Sequence, residues 1–530
     1  MRPVDILSIF TLIPATYAQC PSYSEYARQR HEPFTGGSLN LSYARPIEAC
    51  RTFISQEVED TIERLRHVIK DPDLFRVFEN SWPSTLDTTI AWQGYADQTA
   101  EEDEDGEQRE TQEELTFVVT GDIEAMWLRD SANQLQAYVS LLKPSKSQNS
   151  FASLFRGAIN LQARYILENP FCNAFQAPVE SGIKRKSSMN SDEITPAFDD
   201  MSVFSCQWEL DSFASFLQLS ADYATATKDY DFFKQTRNWT KAVETILRTV
   251  ESMRIDSYTP DGAWQHTPYT YCAPYGGTPI NRCNGSPHKG NIGLIRSYHR
   301  PSDDACTYQY LIPSNMMFSS ALNACSIIAS TISPRSGKLS RWMKRTSTHI
   351  NRGIDAYGII DDKLHGKIYA YEVDGFGSAN VMDDPNVPSL LSAPFIGYTT
   401  LHDPIYANTR RKILSRENPY FAQGPVLSGV GSPHTLPGRV WPMALIVTIL
   451  TSEDEDEILA NLQMLVRSTD GLGLMHESVD ARSEKIWTRQ WFSWANGLFG
   501  SMILDLEKRR PHLLSMFNSS ASVGAGSHPL

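Results

Sequence analysis

The stretch Ile54-Ser-Gln-Glu-Val-Glu-Asp-Thr-Ile-Glu-Arg-Leu-Arg-His-Val-Ile-Lys-Asp-Pro72 decides how the rest of the chain is read. Ile54, Val58, Ile62, Leu65 and Ile69 recur at steps of four, four, three and four, which puts all five on one face of an α-helix. Asp71-Pro72 ends that helix, because proline has no amide proton for the ladder and its ring clashes with the preceding turn. Outward from this segment the pattern returns. Amphipathic or continuously apolar stretches predict helices near 122–142, 150–169, 207–226, 229–254, 305–330, 337–358, 439–467 and 490–508. Between them lie long segments rich in Gly, Pro and Asn, notably 257–303 and 374–404. Loops of that length carry a site more often than they fill space. Short strand-like runs occur at Thr85–Trp92, Thr116–Thr120 and Lys367–Glu372, the last reading as half of a hairpin after His365-Gly366.

No linker divides the middle of the chain. The expected organisation is a signal peptide over 1–18, an N-terminal extension over 19–44, one large α domain over 45–512 and a disordered tail over 513–530. The leader rests on Arg2, an apolar run from Ile6 to Pro14 and small residues at Thr16-Tyr17-Ala18, with cleavage after Ala18. No later segment approaches the ~20 apolar residues of a membrane span, and Trp441–Leu450 reads as a short buried helix. The acidic run 101–114 reads as a solvated loop, since like charges repel and offer no core face. A net charge of −14 favours solubility and argues against a nucleic-acid ligand. Tripeptides for N-glycosylation at Asn40, Asn238, Asn284 and Asn518, and eight cysteines, fit a secreted protein. Cys272 and Cys283, flanking a Gly/Pro-rich loop, are the first expected pair. Cys306 and Cys325 fall in apolar helical patterns and read as buried thiols.

Three segments concentrate chemistry. Thr120-Gly-Asp-Ile-Glu-Ala-Met-Trp-Leu-Arg-Asp-Ser131 packs Asp, Trp, Arg and Asp at a strand-to-helix junction. Asp122 reads as a helix cap, Arg129–Asp130 as an ion pair and Trp127 as core. The same groups also suit a sugar, whose hydroxyls take carboxylate and guanidinium and whose C–H face takes an aromatic ring. In Tyr298-His-Arg-Pro-Ser-Asp-Asp-Ala-Cys306, Ser302 or Asp303 reads as an N-cap, while the second aspartate is free to project into a cleft. Gly471-Leu-Gly-Leu-Met-His-Glu-Ser478 is followed by Trp487 and Trp491, and its Glu477 is far from Asp304 in the chain. Asp383-Asp384 resembles a calcium loop only weakly, because the acid spacing is wrong. There is no Gly-x-Ser-x-Gly elbow, no Walker A loop and no dinucleotide fingerprint. Carboxylate chemistry among many aromatics remains, which suits carbohydrate cleavage.

Gly121-Asp-Ile-Glu-Ala-Met-Trp-Leu-Arg-Asp-Ser131, Arg300-Pro-Ser-Asp-Asp-Ala305, Val373-Asp-Gly-Phe-Gly-Ser378, Asp384-Pro-Asn-Val-Pro-Ser389 and Met475-His-Glu-Ser478 resemble the motifs of glycoside hydrolase family 125, the exo-α-1,6-mannosidases. The resemblance runs from about Arg45 to Arg509. The leader, the acidic run and the tail lie outside it. It implies an all-α (α/α)6 toroid, six inner and six outer helices, with long loops and a few short strands around a funnel at one end. It implies an inverting hydrolase with no metal and no cofactor, acting on terminal mannose of glycans. Asp304 would be the general acid, with Asp303 as the alternative, and Glu477 the general base. Inversion asks for roughly 6.5–9.5 Å between the two carboxyl groups, room for one water. Trp127, Arg129, Asp130, Arg300, Asp303, Asp374, His476 and Trp491 would contact sugar. The competing reading is another inverting toroid glycosidase with a different sugar or linkage. A polysaccharide lyase would show a Tyr or His base beside an Arg, and a glycan-binding protein without catalysis would lack one of the two carboxylates.

Overall fold

The computed structural model describes residues 20–96, 113–186, 192–272, 283–333 and 337–521. The expected leader and residues 101–112 of the acidic run lie outside them. The opening helix spans Gln56–Val68 and buries Val58, Thr61, Ile62 and Leu65 on one face. Ile54 precedes it and is exposed. Asp71-Pro72 does more than end a helix. Asp71 accepts from the amides of Asp73 and Leu74 at 3.0 and 2.9 Å, and Pro72 opens the next helix, Pro72–Ser81. Proline fits there because the first-turn amide has no ladder partner anyway.

Two kinds of helix build the body. Leu210–Thr227 and the first half of Ile312–Ile332 are buried on almost every face and carry Ser and Ala between larger apolar residues. Arg237–Ser252 buries Trp239, Ala242, Val243, Ile246, Leu247, Thr249 and Val250, one stripe at helical spacing, as a surface helix should. Ile312–Ile332 packs on Leu210–Thr227 and on Lys338–Gly353, and Leu210–Thr227 packs on Leu128–Gln136 and Phe151–Glu168. The last long helix, Ser493–Arg509, packs against Pro442–Leu450 and returns to Leu128–Gln136 and Pro72–Ser81. The end of the chain therefore closes onto its beginning.

Three small antiparallel sheets stand directly before helices. Met126–Trp127 pairs with Ala174–Phe175, which pairs with Val203–Ser205. Tyr310–Leu311 pairs with Glu372–Val373, which pairs with Ala379–Asn380. Arg439–Val440 pairs with Ser478–Asp480, which pairs with Ser483–Thr488. Leu128–Gln136, Ile312–Ile332 and Pro442–Leu450 start from the first strand of each sheet. These sheets move several expected boundaries. The first motif helix starts at Leu128, so Asp122 caps nothing; the helix expected from 305 starts at Ile312, so neither Ser302 nor Asp303 caps it. Thr85–Trp92 is a short helix, Ser84–Thr88, followed by a strand, Ile90–Tyr95, paired with Glu114–Val118. Segments 229–254 and 439–467 each divide into two helices, and Gly366–Tyr369 forms the expected hairpin with Ile359–Asp362.

Other expectations change at the edges. Glu113 and Glu114 are not solvated: Glu113 pairs with Arg164, and Glu114 takes Arg156. The tail is not disordered from 513, because Pro511–Met516 is a helix that buries Leu513 and Leu514. Ser519 donates its amide to Asp71 at 2.7 Å, and Gln463 donates to the Ser519 carbonyl at 2.8 Å. Cys272–Cys283 forms as expected, with Cys20–Cys50 and Cys172–Cys206 beside it, and Cys306 and Cys325 are buried free thiols. Among the described residues no helix is long and apolar enough to cross a membrane.

Candidate active site

The Arg300–Ala305 segment is a tight turn. His299 bridges Ala305, Arg300 donates its amide to the Asp304 carbonyl at 2.8 Å, and Asp303 donates to the Arg300 carbonyl at 2.9 Å. Asp303 takes a φ of +68°, a left-handed conformation that Asp tolerates better than most residues. The turn sends the two adjacent aspartates to different partners. Asp303 faces the Arg129 guanidinium at 3.5 Å. Asp304 accepts from the Ser302 hydroxyl at 2.8 Å and faces His434 Nδ1 at 3.7 Å.

Arg129 is the centre of a buried charge cluster. Its Nη1 meets Glu209 Oε2 at 2.6 Å and Asp211 Oδ2 at 3.2 Å, and its Nε lies 3.3 Å from Asp130 Oδ2. With Asp303, four carboxylates surround one guanidinium. Burial is the main reason that Glu209 is held well above the ordinary carboxylate range and Asp130 is raised to about 6, with Arg129 pulling both back. Three of the four carboxylates, Asp130, Glu209 and Asp211, are buried with one guanidinium between them, which favours their protonated forms, while Asp303 keeps part of its side chain in water. Asp130 Oδ2 and the Trp127 Nε1 are buried without a hydrogen-bond partner.

Arg300 pairs with Glu372 at 2.7 Å. Glu372 also accepts from the amides of Thr307 and Tyr308 and from Asn380 Nδ2, so it ties the aspartate turn to the neighbouring sheet. On the other side Glu477 stands at the edge of the Ser478–Asp480 strand, with its amide on the Thr488 carbonyl at 3.1 Å. Its carboxylate meets Arg489 Nε at 3.1 Å, and Arg489 is held in turn by Asp122 at 2.6 Å. Asp122 is thus an anchor for the arginine that faces Glu477.

Two open cavities run over these groups. One, of about 550 Å³, is lined by His434, Leu436, Arg439, Glu477 and Thr488. The other, of about 590 Å³, is lined by Arg300, Asp304, Tyr308, Asn380 and Tyr420. Pro433 belongs to both. His434 lies between them: the Asp304 carboxylate beside its imidazole does most to raise its pKa, and the Asp303 and Glu477 carboxylates add to the rise against the pull of burial. Glu477, 173 positions after Asp304 in the chain, lines the same cavity as His434, and Asp304 stands 3.7 Å from that histidine at the edge of the neighbouring cavity.

Some expected sugar contacts have other partners. His476 is fully buried, stacks on Trp487 with ring centroids 4.5 Å apart and shares a hydrogen bond with the Arg489 carbonyl. Burial pushes it down to about 4, so it is neutral. Trp491 is buried, donates to the Ser84 hydroxyl at 3.0 Å and lies edge-on to Tyr23. Asp374 accepts from the amides of Phe376, Gly377 and Ser378 and so holds its own turn. Trp127 lies edge-on to Phe204. The weak calcium reading also gives way: Asp383 caps the amides of Leu390 and Leu391, and Asp384 accepts from Ser432 and Asn386. Sequence reasoning missed Glu209, Asp211, Glu372, His434 and Arg489. Acids at a helix start have an ordinary explanation in the helix dipole, and His434 and Arg489 fall in no motif.

Acidic and guanidinium groups line two neighbouring polar cavities, an arrangement that suits the class of glycoside hydrolases. The family model described as metal-independent alpha-mannosidase (GH125) matches residues 71–504, and the chain belongs to that family. A curated relative, the meiotically up-regulated gene 157 protein of Schizosaccharomyces pombe, is 46% identical over 500 residues, covering 93% of this chain and 94% of its own. A solved Streptococcus pneumoniae structure is 33% identical with a TM-score of 0.73, over 87% of this chain and 100% of that one. It is described as a metal-independent α-mannosidase in a non-productive complex with α-1,6-mannobiose.

Proposed function

We propose that the protein is an inverting exo-α-mannosidase that removes terminal α-1,6-linked mannose from glycans, with Asp304 as general acid and Glu477 as general base. The observation that carries this reading is His434. It lies 3.7 Å from Asp304 and lines the cavity that holds Glu477, so the two carboxylates flank one cleft. Asp304 donates its proton to the glycosidic oxygen as the C–O bond breaks. Glu477 takes a proton from a water that attacks the anomeric carbon on the opposite face. The products are a free mannose of inverted configuration and the shortened glycan, and each carboxyl group then exchanges its proton with water.

The remaining groups suit recognition. Trp127 Nε1, buried without a hydrogen-bond partner, and Asp130, paired with Arg129, suit a donor and an acceptor for neighbouring hydroxyls of one pyranose. Arg129, Asp303 and Arg300 supply charge-assisted hydrogen bonds around that ring. Tyr308, Asn380 and Tyr420 line the side of Asp304 and suit the leaving sugar. The relative bound to α-1,6-mannobiose supports the linkage. The closure of Ser493–Arg509 onto Pro72–Ser81 supports an (α/α)6 toroid. Three disulfides, the apolar leader and exposed sequon asparagines at Asn40 and Asn518 support passage through the secretory pathway.

Glu477→Gln tests the assignment. Turnover of α-1,6-mannobiose should fall by ~10²-fold or more while the disaccharide still binds, because only the general base is lost. Full activity in that variant would remove Glu477 from the mechanism.

A further inference from the structure

A third cavity, of about 720 Å³, opens between the helices Leu210–Thr227, Ile312–Ile332 and Lys338–Gly353 and the 395–398 segment. It shares no lining residue with the cavities that hold Asp304 and Glu477. Ser319 lies seven residues into the helix that begins at Ile312, which places the cavity ~10 Å along the helix axis from the Tyr310–Leu311 strand.

Its lining holds hydroxyls, amides, one ammonium and aromatic rings, and no carboxylate. Ser319 Oγ donates to Asn351 Oδ1 at 2.6 Å, which leaves the Asn351 NH2 as a donor. Gln218 donates to Asp222 at 2.9 Å, which leaves its carbonyl oxygen as an acceptor. Asn323 and Lys344 are exposed, and among the described residues their side chains have no hydrogen bond or ion pair. Beside these groups Phe395 is 42% exposed, and Tyr398 completes the wall. A large apolar ring left in water next to unused donors and acceptors is what a pyranose needs. Its C–H face covers the ring, and its hydroxyls satisfy the amides and the ammonium.

We propose that this cavity is a second glycan-binding site, which takes one or two mannose units of the glycan whose end is cleaved at the Asp304–Glu477 cleft. The proposal rests on the mannosidase reading for the identity of the sugar. Holding a second part of a branched glycan raises the effective concentration of its ends at the cleft without any new contact there.

The test titrates α-1,6-linked mannotriose into full-length Glu477→Gln by calorimetry, alone and with Phe395→Ala and Asn323→Ala added. Two binding events are expected, the weaker one lost in the triple variant. In an otherwise intact chain, Phe395→Ala should keep kcat/KM on an aryl α-mannoside and lose about fivefold on a branched high-mannose glycan. Phe395 is already partly in water, so its truncation leaves the fold in place. A single binding event, or two events that survive the triple variant, would overturn the second site. Hydrolysis of mannobiose by the unmodified chain is scored separately. Cleavage with only one bound equivalent refutes the second site alone, and two bound equivalents without cleavage refute the hydrolase reading alone.

Discussion

The two adjacent aspartates do different work because of one backbone angle. With φ at +68°, Asp303 turns toward Arg129, and Asp304 is left facing His434 and the open cavity. A substrate whose leaving group needs no proton separates their roles. Asp304→Asn should lose ~10²-fold or more on α-1,6-mannobiose yet keep turnover of α-mannosyl fluoride within about tenfold, because fluoride departs unprotonated. Asp303→Asn, which strips a partner from Arg129, should slow both substrates. The opposite pattern would make Asp303 the acid. The motif residues were legible one by one in the sequence, and so was the divergence of the paired aspartates. The carboxylate cluster was not. Glu209 and Asp211 open an apolar helix, where acids need no further explanation, and only folding carries them to Arg129.

Helix existence was the most readable feature at the level of elements, because buried stripes such as Val58, Ile62 and Leu65 repeat at helical spacing. Helix starts were not. Met126–Trp127, Tyr310–Leu311 and Arg439–Val440 are strands of two residues, too short to leave an alternating pattern, and each displaces the helix that follows. Contacts between elements leave a signature in pH. Asp222 on Leu210–Thr227 accepts from Gln136 at the end of Leu128–Gln136 and from Gln218, yet burial raises it to about 6. Between about pH 4 and 6 the folded state then binds more protons than the unfolded chain, so stability falls as pH rises through that window. Asp222→Asn removes this slope and, since Gln136 can turn its amide to donate or accept, should be more stable at pH 7 by about 1–2 kcal/mol and equal near pH 4. Urea unfolding across that range checks it. Parallel curves for the two proteins would clear Asp222.

Closure of the chain on itself holds the whole molecule together. Gly500 in Ser493–Arg509 lies against Trp82, and a Cβ there would stand 2.2 Å from the indole Cδ1. Trp82 is fully buried and fixed by its bond to the Ala137 carbonyl, so it cannot yield. Gly500→Ala should therefore cost about 1–3 kcal/mol and lower the melting temperature, despite the better helix propensity of alanine. An unchanged or raised melting temperature would show that the contact between Pro72–Ser81 and Ser493–Arg509 is loose. Ser493–Arg509 also packs on Pro442–Leu450, the helix that follows the Arg439–Val440 strand of the sheet beside Glu477, and the proposed function sets Glu477 across a cleft from Asp304. The most direct test of that cleft is the first anomer released from α-1,6-mannobiose, followed by proton NMR before mutarotation. Water delivered by Glu477 to the face opposite Asp304 must give β-mannose first; α-mannose as the initial product would contradict the account.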